Sequence, residues 1–296
     1  MDVPESEGRA SVLGYGLYYR EFAPAHPRGT ILVLHGGPGA THEYLLPHAD
    51  LSHDGYRVVF MDQLACGRSD RPHNPSLYTL DHNVEEVEGL RKELGLGSVH
   101  LVGSSYGGLL ALTYAVRYGE HLRSLVTTGG LASVPLTVTE MNRLVHELPT
   151  EERSALEKAE ARQEYSDPAY LAAVQVFYRR HLCRLWPWPD ELTRSLGDIN
   201  PDVYLHMNGP NEFTITGTIK DIDITPTLSA IRVPTLVTGG RYDEVTPVVA
   251  RSIHEAIPGS AWVVFEASSH TPFWEERPRY MSVLRDFFRQ LDARGG

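Results

Sequence analysis

Residues 99–115 read VHLVGSSYGGLLALTYA. A short apolar run, VHLV, meets two glycines and is followed from Gly108 to Tyr118 by a segment apolar nearly all round. This is the pattern of a buried strand, a tight turn and a buried helix in succession. The frame Gly103-x-Ser105-x-Gly107 falls on the turn, which is the strand–turn–helix context of a nucleophile elbow. Small residues on either side let the backbone fold back on itself and hold Ser105 in a strained conformation at the tip. Ser104 is out of this frame.

Working outward, similar apolar runs recur as ILVL at 31–34, VVFM at 58–61, SLVTT at 124–128, TLVT at 235–238 and WVVF at 262–265. Runs apolar on both faces suit central strands covered by helices on each side. Helical periodicity lies between several of them: Leu80, Val84, Val87 and Leu94 share one face, and Tyr280, Val283, Leu284, Phe287, Phe288 and Leu291 form a closing stripe. Strands alternating with helices predict an α/β fold with a mostly parallel central sheet. Upstream, SVLGYGLYYREF at 11–22 reads as an antiparallel strand pair. The alternation stops near residue 131 and resumes near 229. The division expected is a core of residues 1–130 and 229–296 and a helical cap of 131–228, placed over the carboxyl edge of the sheet, where open α/β sheets bind ligands.

A serine is a poor nucleophile at neutral pH and needs a base oriented by a carboxylate. On an elbow of this kind the chain order is serine, acid, histidine. Asp243 follows the run TLVTGG in the loop RYDEVTP, and His270 follows WVVF in EASSHTPFWE. Asp223 is the weaker rival for the acid because it precedes its strand, and His254 lies inside a helical stretch. The tetrahedral intermediate needs two fixed donors. The residue after the nucleophile, Tyr106, supplies one backbone N–H; the glycine-rich loop HGGPG after ILVL supplies the other, at Gly37. That loop lacks the Gly-Lys-Ser/Thr of a phosphate-binding loop. His35 reads as a structural hydrogen-bonding residue. An aspartate, not a serine, would occupy the elbow in a dehalogenase or an epoxide hydrolase.

The chain has 296 residues, with 38 Asp and Glu against 27 Lys and Arg, a net charge of −11. That sign disfavours binding to nucleic acid or to an anionic membrane surface. No apolar run reaches the ~18 residues of a membrane helix, and the first residues lack the basic and apolar regions of a secretory signal, so a cytoplasmic location is expected. The two cysteines, Cys66 and Cys183, form no CxxC pair and read as free buried thiols. The histidines show no HExxH spacing, so neither a metal nor another cofactor is expected.

These residues resemble the α/β-hydrolase superfamily, and more narrowly the proline iminopeptidases of the type related to tricorn-interacting aminopeptidases. The resemblance rests on HGGPGATHEYLLP, DQLACGRSD, GSSYGGLLALTYA, SVPLTVTEMNRLVHELP, NGPNEFTITGTIKDIDIT, GRYDEVTP and SSHTPFWEE, spread from about Gly14 to Leu291. It implies a serine exopeptidase that releases an N-terminal residue, preferably proline, from small peptides through an acyl-enzyme. It also implies that two glutamates grip the free α-ammonium group, and the matching positions are Glu212 and Glu244. A buried ammonium needs paired carboxylates, and the same acids would reject acylated N-termini. Phe177, Trp186, Trp188, Tyr204 and Phe213 are the aromatics of the cap available to line an apolar slot. Two other readings remain: an amidase, esterase or acyltransferase acting on amino-acid amides or esters with the same Ser-His-Asp machinery, and a catalytically dead fold used for binding.

Overall fold

In the computed structural model, which describes residues 3–295 with side chains to residue 292, eight strands form one sheet. They are β1 (Glu5–Val12), β2 (Tyr15–Phe22), β3 (Gly29–Leu34), β4 (Tyr56–Met61), β5 (Val99–Ser104), β6 (Leu122–Thr128), β7 (Thr235–Gly240) and β8 (Ala261–Phe265). Their order across the sheet is β1-β2-β4-β3-β5-β6-β7-β8. From β4 to β8 every neighbour is parallel, and β1 and β2 are antiparallel. The first strand begins earlier than its sequence pattern indicates. The exposed, charged residues of ESEGRASV pair along the whole of β2, from Glu5 opposite Phe22 to Val12 opposite Tyr15.

The strand pleat sorts the core into two layers. Leu32 and Leu34 pack with α1 (Leu80–Glu93), α2 (Tyr106–Tyr118) and α8 (Pro247–Ala256) on one face, while Ile31 and Val33 pack with α10 (Arg277–Gly295) on the other. Runs apolar at every position are therefore what a sheet covered on both sides requires. Thr79 caps α1 by accepting from the His82 N–H, satisfying one of the first-turn donors.

Five helices intervene between β6 and β7: α3 (Val134–His146), α4 (Thr150–Arg162), α5 (Pro168–His181), α6 (Asp190–Gly197) and α7 (Pro201–Met207). Proline stands in the first turn of α3, α5 and α7, and Ser133, Asp167 and Asn200 cap them with side-chain oxygens. Leu144, Leu156, Tyr170, Phe177, Val203 and Phe213 form a separate apolar cluster, which also takes in Tyr106 and Leu109 from the start of α2. The inserted helices thus sit directly on the turn that carries Ser105. The short helix α9 (Pro272–Glu275) follows β8. Cys66 and Cys183 are both free and buried, and among the described residues no helix is long and apolar enough to cross a membrane.

Candidate active site

Ser105 stands between β5 and α2 with φ 58° and ψ −128°, a conformation that costs a non-glycine residue on the order of 1–3 kcal/mol. The fold holds it there by close approach. A Cβ on Gly103 would overlap the Gly107 carbonyl, and a Cβ on Gly107 would overlap the carbonyls of Leu34 and His35. The Ser105 N–H donates to Thr128 O at 3.1 Å, fixing the turn to β6. Tyr106 opens α2, so its N–H is among those with no intrahelical partner. Its side chain is anchored by the hydroxyl, which donates to Asn83 Oδ1 at 2.7 Å. Gly37, at φ 109°, lines the cleft beside Ser105. His35 is buried and structural: its Nε2 accepts from the Gln63 N–H at 3.1 Å and its carbonyl from Gln63 Nε2 at 2.8 Å.

The loops after β7 and β8 bring Asp243 and His270 together. Asp243 Oδ1 lies 2.6 Å from His270 Nδ1 and also accepts from the Val245 N–H at 2.8 Å. Asp223 is elsewhere, taken up by Ser133 Oγ and the Thr225 N–H. Ser105 and His270 open onto one cleft, but among the described residues no hydrogen bond joins Ser105 Oγ to His270. Such contacts are commonly loose before substrate binds.

Glu212 and Glu244 line the same cleft. Glu244 is 1% exposed; its Oε1 lies 3.9 Å from His270 Nε2 and its Oε2 has no hydrogen-bond partner among the described residues. Glu212 comes from the irregular segment after α7, and its Oε1 accepts from the Tyr204 hydroxyl at 2.6 Å. Burial pushes both carboxyls up, Glu244 well above the usual range. Burial acts to lower the His270 pKa, but the carboxylates of Asp243, Glu244 and Glu212 outweigh it and hold the ring at about 10. The rest of the wall is mostly aliphatic, with Ala40, Leu182, Leu192, Leu196 and Ile199 beside Tyr44. The cap aromatics do not line it: Phe177 and Phe213 are buried in the inserted cluster, and Trp186 is 69% exposed. Packing the helices to one another consumes the Phe177 and Phe213 rings, leaving the wall mostly to shorter side chains.

Three features had no sequence signal. Tyr204 sits eight residues before Glu212, a separation with meaning only once α7 and the following loop turn back on each other. The carbonyl of His181, the last residue of α5, accepts from the N–H groups of both Glu244 and His270 at 3.2 Å. Glu275 accepts from the N–H groups of Ser269 (2.9 Å), Thr271 (3.2 Å) and Arg184 (2.9 Å), bracketing His270. Among the described residues no cluster of His, Cys, Asp and Glu could hold a metal ion.

A family model for the α/β hydrolase fold matches residues 29–277. The chain is 47% identical over 287 residues to the proline iminopeptidase of Saccharolobus solfataricus (strain ATCC 35092 / DSM 1617 / JCM 11322 / P2), covering 96% of this chain and 93% of that protein. The crystal structure of VinJ superposes with a TM-score of 0.94 at 36% identity, covering 97% of this chain and 99% of that one. The proline iminopeptidase of Mycobacterium smegmatis superposes at 0.92 and 32% identity, covering 98% and 100%. Sheet order, elbow and full-length similarity agree: this chain belongs to the α/β hydrolases and, within them, to the proline iminopeptidase family.

Proposed function

We propose that this protein is a serine aminopeptidase that releases an N-terminal residue, preferably proline, from small peptides. The observation that carries this reading is the pair of acids, part-buried Glu212 and buried Glu244, in the cleft that also holds Ser105 and the hydrogen-bonded Asp243–His270 pair. Two carboxyls in a largely apolar wall, with no lysine or arginine lining the cleft, are costly unless a further cation completes them, and a protonated chain end is such a cation.

In this reading residues 131–228 cap the core, and the substrate's α-ammonium group enters between Glu212 and Glu244. Ser105 Oγ attacks the carbonyl of the first residue while His270 Nε2 takes its proton. Asp243 holds the ring with Nε2 toward the serine and stabilises the imidazolium. The N–H groups of Tyr106 and Gly37 receive the developing oxyanion. His270 then protonates the leaving amine, and water attacks the acyl-enzyme to release the residue and restore Ser105. An acylated N-terminus carries no charge and would leave the acids unpaired, so it is rejected.

The test is turnover of prolyl, alanyl and N-acetylprolyl chromogenic amides, with Ser105→Ala as control. The free prolyl amide should be the best substrate and the acetylated one inert. Equal turnover of free and acetylated amides would overturn the aminopeptidase reading.

A further inference from the structure

His270 Nε2 is the atom that must take the Ser105 proton, yet Glu244 Oε1 lies 3.9 Å from it. Both side chains are almost fully buried, at 4% and 1% exposure. The imidazole also faces Asp243 on its other nitrogen and Glu212 across the cleft. Tyr178 and Tyr204, on the helices above, face the glutamates with hydroxyls held neutral well above their ordinary range by burial. His181, at the end of α5, has its Nδ1 on the Tyr242 carbonyl at 2.8 Å. No lysine or arginine is among the residues lining the cleft.

Three carboxyl groups and one imidazole therefore share a site that has no fixed cation. With all three carboxyls ionised and the ring neutral, the site would carry three buried negative charges, an arrangement that low-dielectric surroundings penalise heavily. The site retains protons instead. We propose that a proton is held between His270 Nε2 and Glu244 before substrate arrives, and that the substrate's own α-ammonium group displaces it to solvent and so frees the base. This deepens the aminopeptidase reading and rests on it. Written out, the imidazolium–carboxylate pair and an incoming chain-end ammonium, R2NH2+ for proline, become a neutral imidazole, a carboxylate–ammonium pair and one H+ in solvent. No bond between heavy atoms changes in this step. The directions at both groups agree with it: burial pushes Glu244 up, and the surrounding carboxylates hold His270 up against its own burial.

The consequence is that Glu244 acts on the chemical step as well as on binding. A substrate lacking a positive chain end leaves the proton where it blocks Nε2. Selectivity for free N-termini then arises twice, once in affinity and once in the state of the base.

Two measurements test the coupling. Calorimetric titration of the Ser105→Ala protein with L-prolinamide near pH 7, in buffers of different ionisation enthalpy, should show about one proton released per site. Adding Glu244→Gln should reduce that release by half or more. Labelling of Ser105 by diisopropyl fluorophosphate, a neutral reagent that does not engage the acids, reads the base directly. Its acidic limb should move down by about one pH unit or more in Glu244→Gln relative to the unsubstituted protein, the scale of one opposite charge within 4–6 Å. Binding without proton release, or superimposed labelling profiles, would overturn the proposal. If prolyl amides are not hydrolysed but the labelling limb still shifts, the substrate reading falls and the coupling stands. If they are hydrolysed while binding releases no proton, the reverse holds.

Discussion

Glu212→Gln removes one of the two negative charges proposed to receive the chain end while keeping the size of the side chain. In the structure Glu212 Oε1 takes a 2.6 Å hydrogen bond from Tyr204, leaving Oε2 as its second acceptor for an ammonium. Truncating one partner of a buried, hydrogen-bonded charge pair costs about 2–5 kcal/mol, and each 1.36 kcal/mol is tenfold in kcat/KM. The full range is about 30- to 5,000-fold. The lower part applies here, because Gln still offers an oxygen and Glu244 still supplies a charge, so the expected loss is about 10²-fold for a prolyl amide. Tyr204→Phe should lose less, about 10-fold, since it removes one hydrogen bond to a charged group, worth about 1.5–3 kcal/mol, and leaves the charge in place. The assay is steady-state kinetics with prolyl p-nitroanilide, with fluorophosphonate labelling of Ser105 as a check that the serine machinery survives. If Glu212→Gln stays within threefold of the unsubstituted protein while labelling is normal, Glu212 does not receive the chain end.

Gly107→Ala places a methyl group against the Leu34 and His35 carbonyls, which are backbone and cannot rotate away. Destabilisation should exceed the ~1–3 kcal/mol of ordinary overpacking, and a urea midpoint near that of the unsubstituted protein would refute the packing argument. Glu275→Ala frees the N–H groups on both sides of His270 and the Arg184 amide beyond α5. It should lower kcat by about 10- to 100-fold with KM altered far less and with partial rescue in Glu275→Gln; a change in KM alone would refute the bracketing role. Glu86 is buried, accepts from the Leu64 N–H and Asn83 Nδ2, and has its carboxyl pushed up to about 7 by burial. A carboxyl raised on folding contributes stability that is complete below its unfolded value near 4.5 and fades as pH rises through about 7. Glu86→Gln should therefore gain in Tm on the unsubstituted protein across that window, and parallel Tm profiles would count against it.

The sequence by itself determined the sheet, the elbow and the chain order of the residues proposed to react. Each is a local matter. Strand runs such as ILVL and VHLV are apolar at every position because both faces are covered, and Gly103 and Gly107 flank Ser105 because a Cβ at either site meets backbone. Asp243 and His270 were legible because catalytic loops follow strands in this fold. Glu212 and Glu244 were reached only through the family resemblance, since an isolated glutamate gives no local sign of burial. Tertiary structure alone decided what surrounds them. The 3.9 Å between Glu244 and His270 and the Glu275 carboxylate on the Arg184 N–H join segments 26 and 91 residues apart, while the Tyr204 hydroxyl on Glu212 and the Glu275 contacts to residues 269 and 271 depend on how short loops turn back on themselves. The aliphatic cleft wall is likewise set by how the inserted helices pack, which withdraws Phe177 and Phe213 into their own core. Hydrophobic periodicity reports which face of an element is buried; it does not report which element lies opposite, and the electrostatics of this site depend on that opposition.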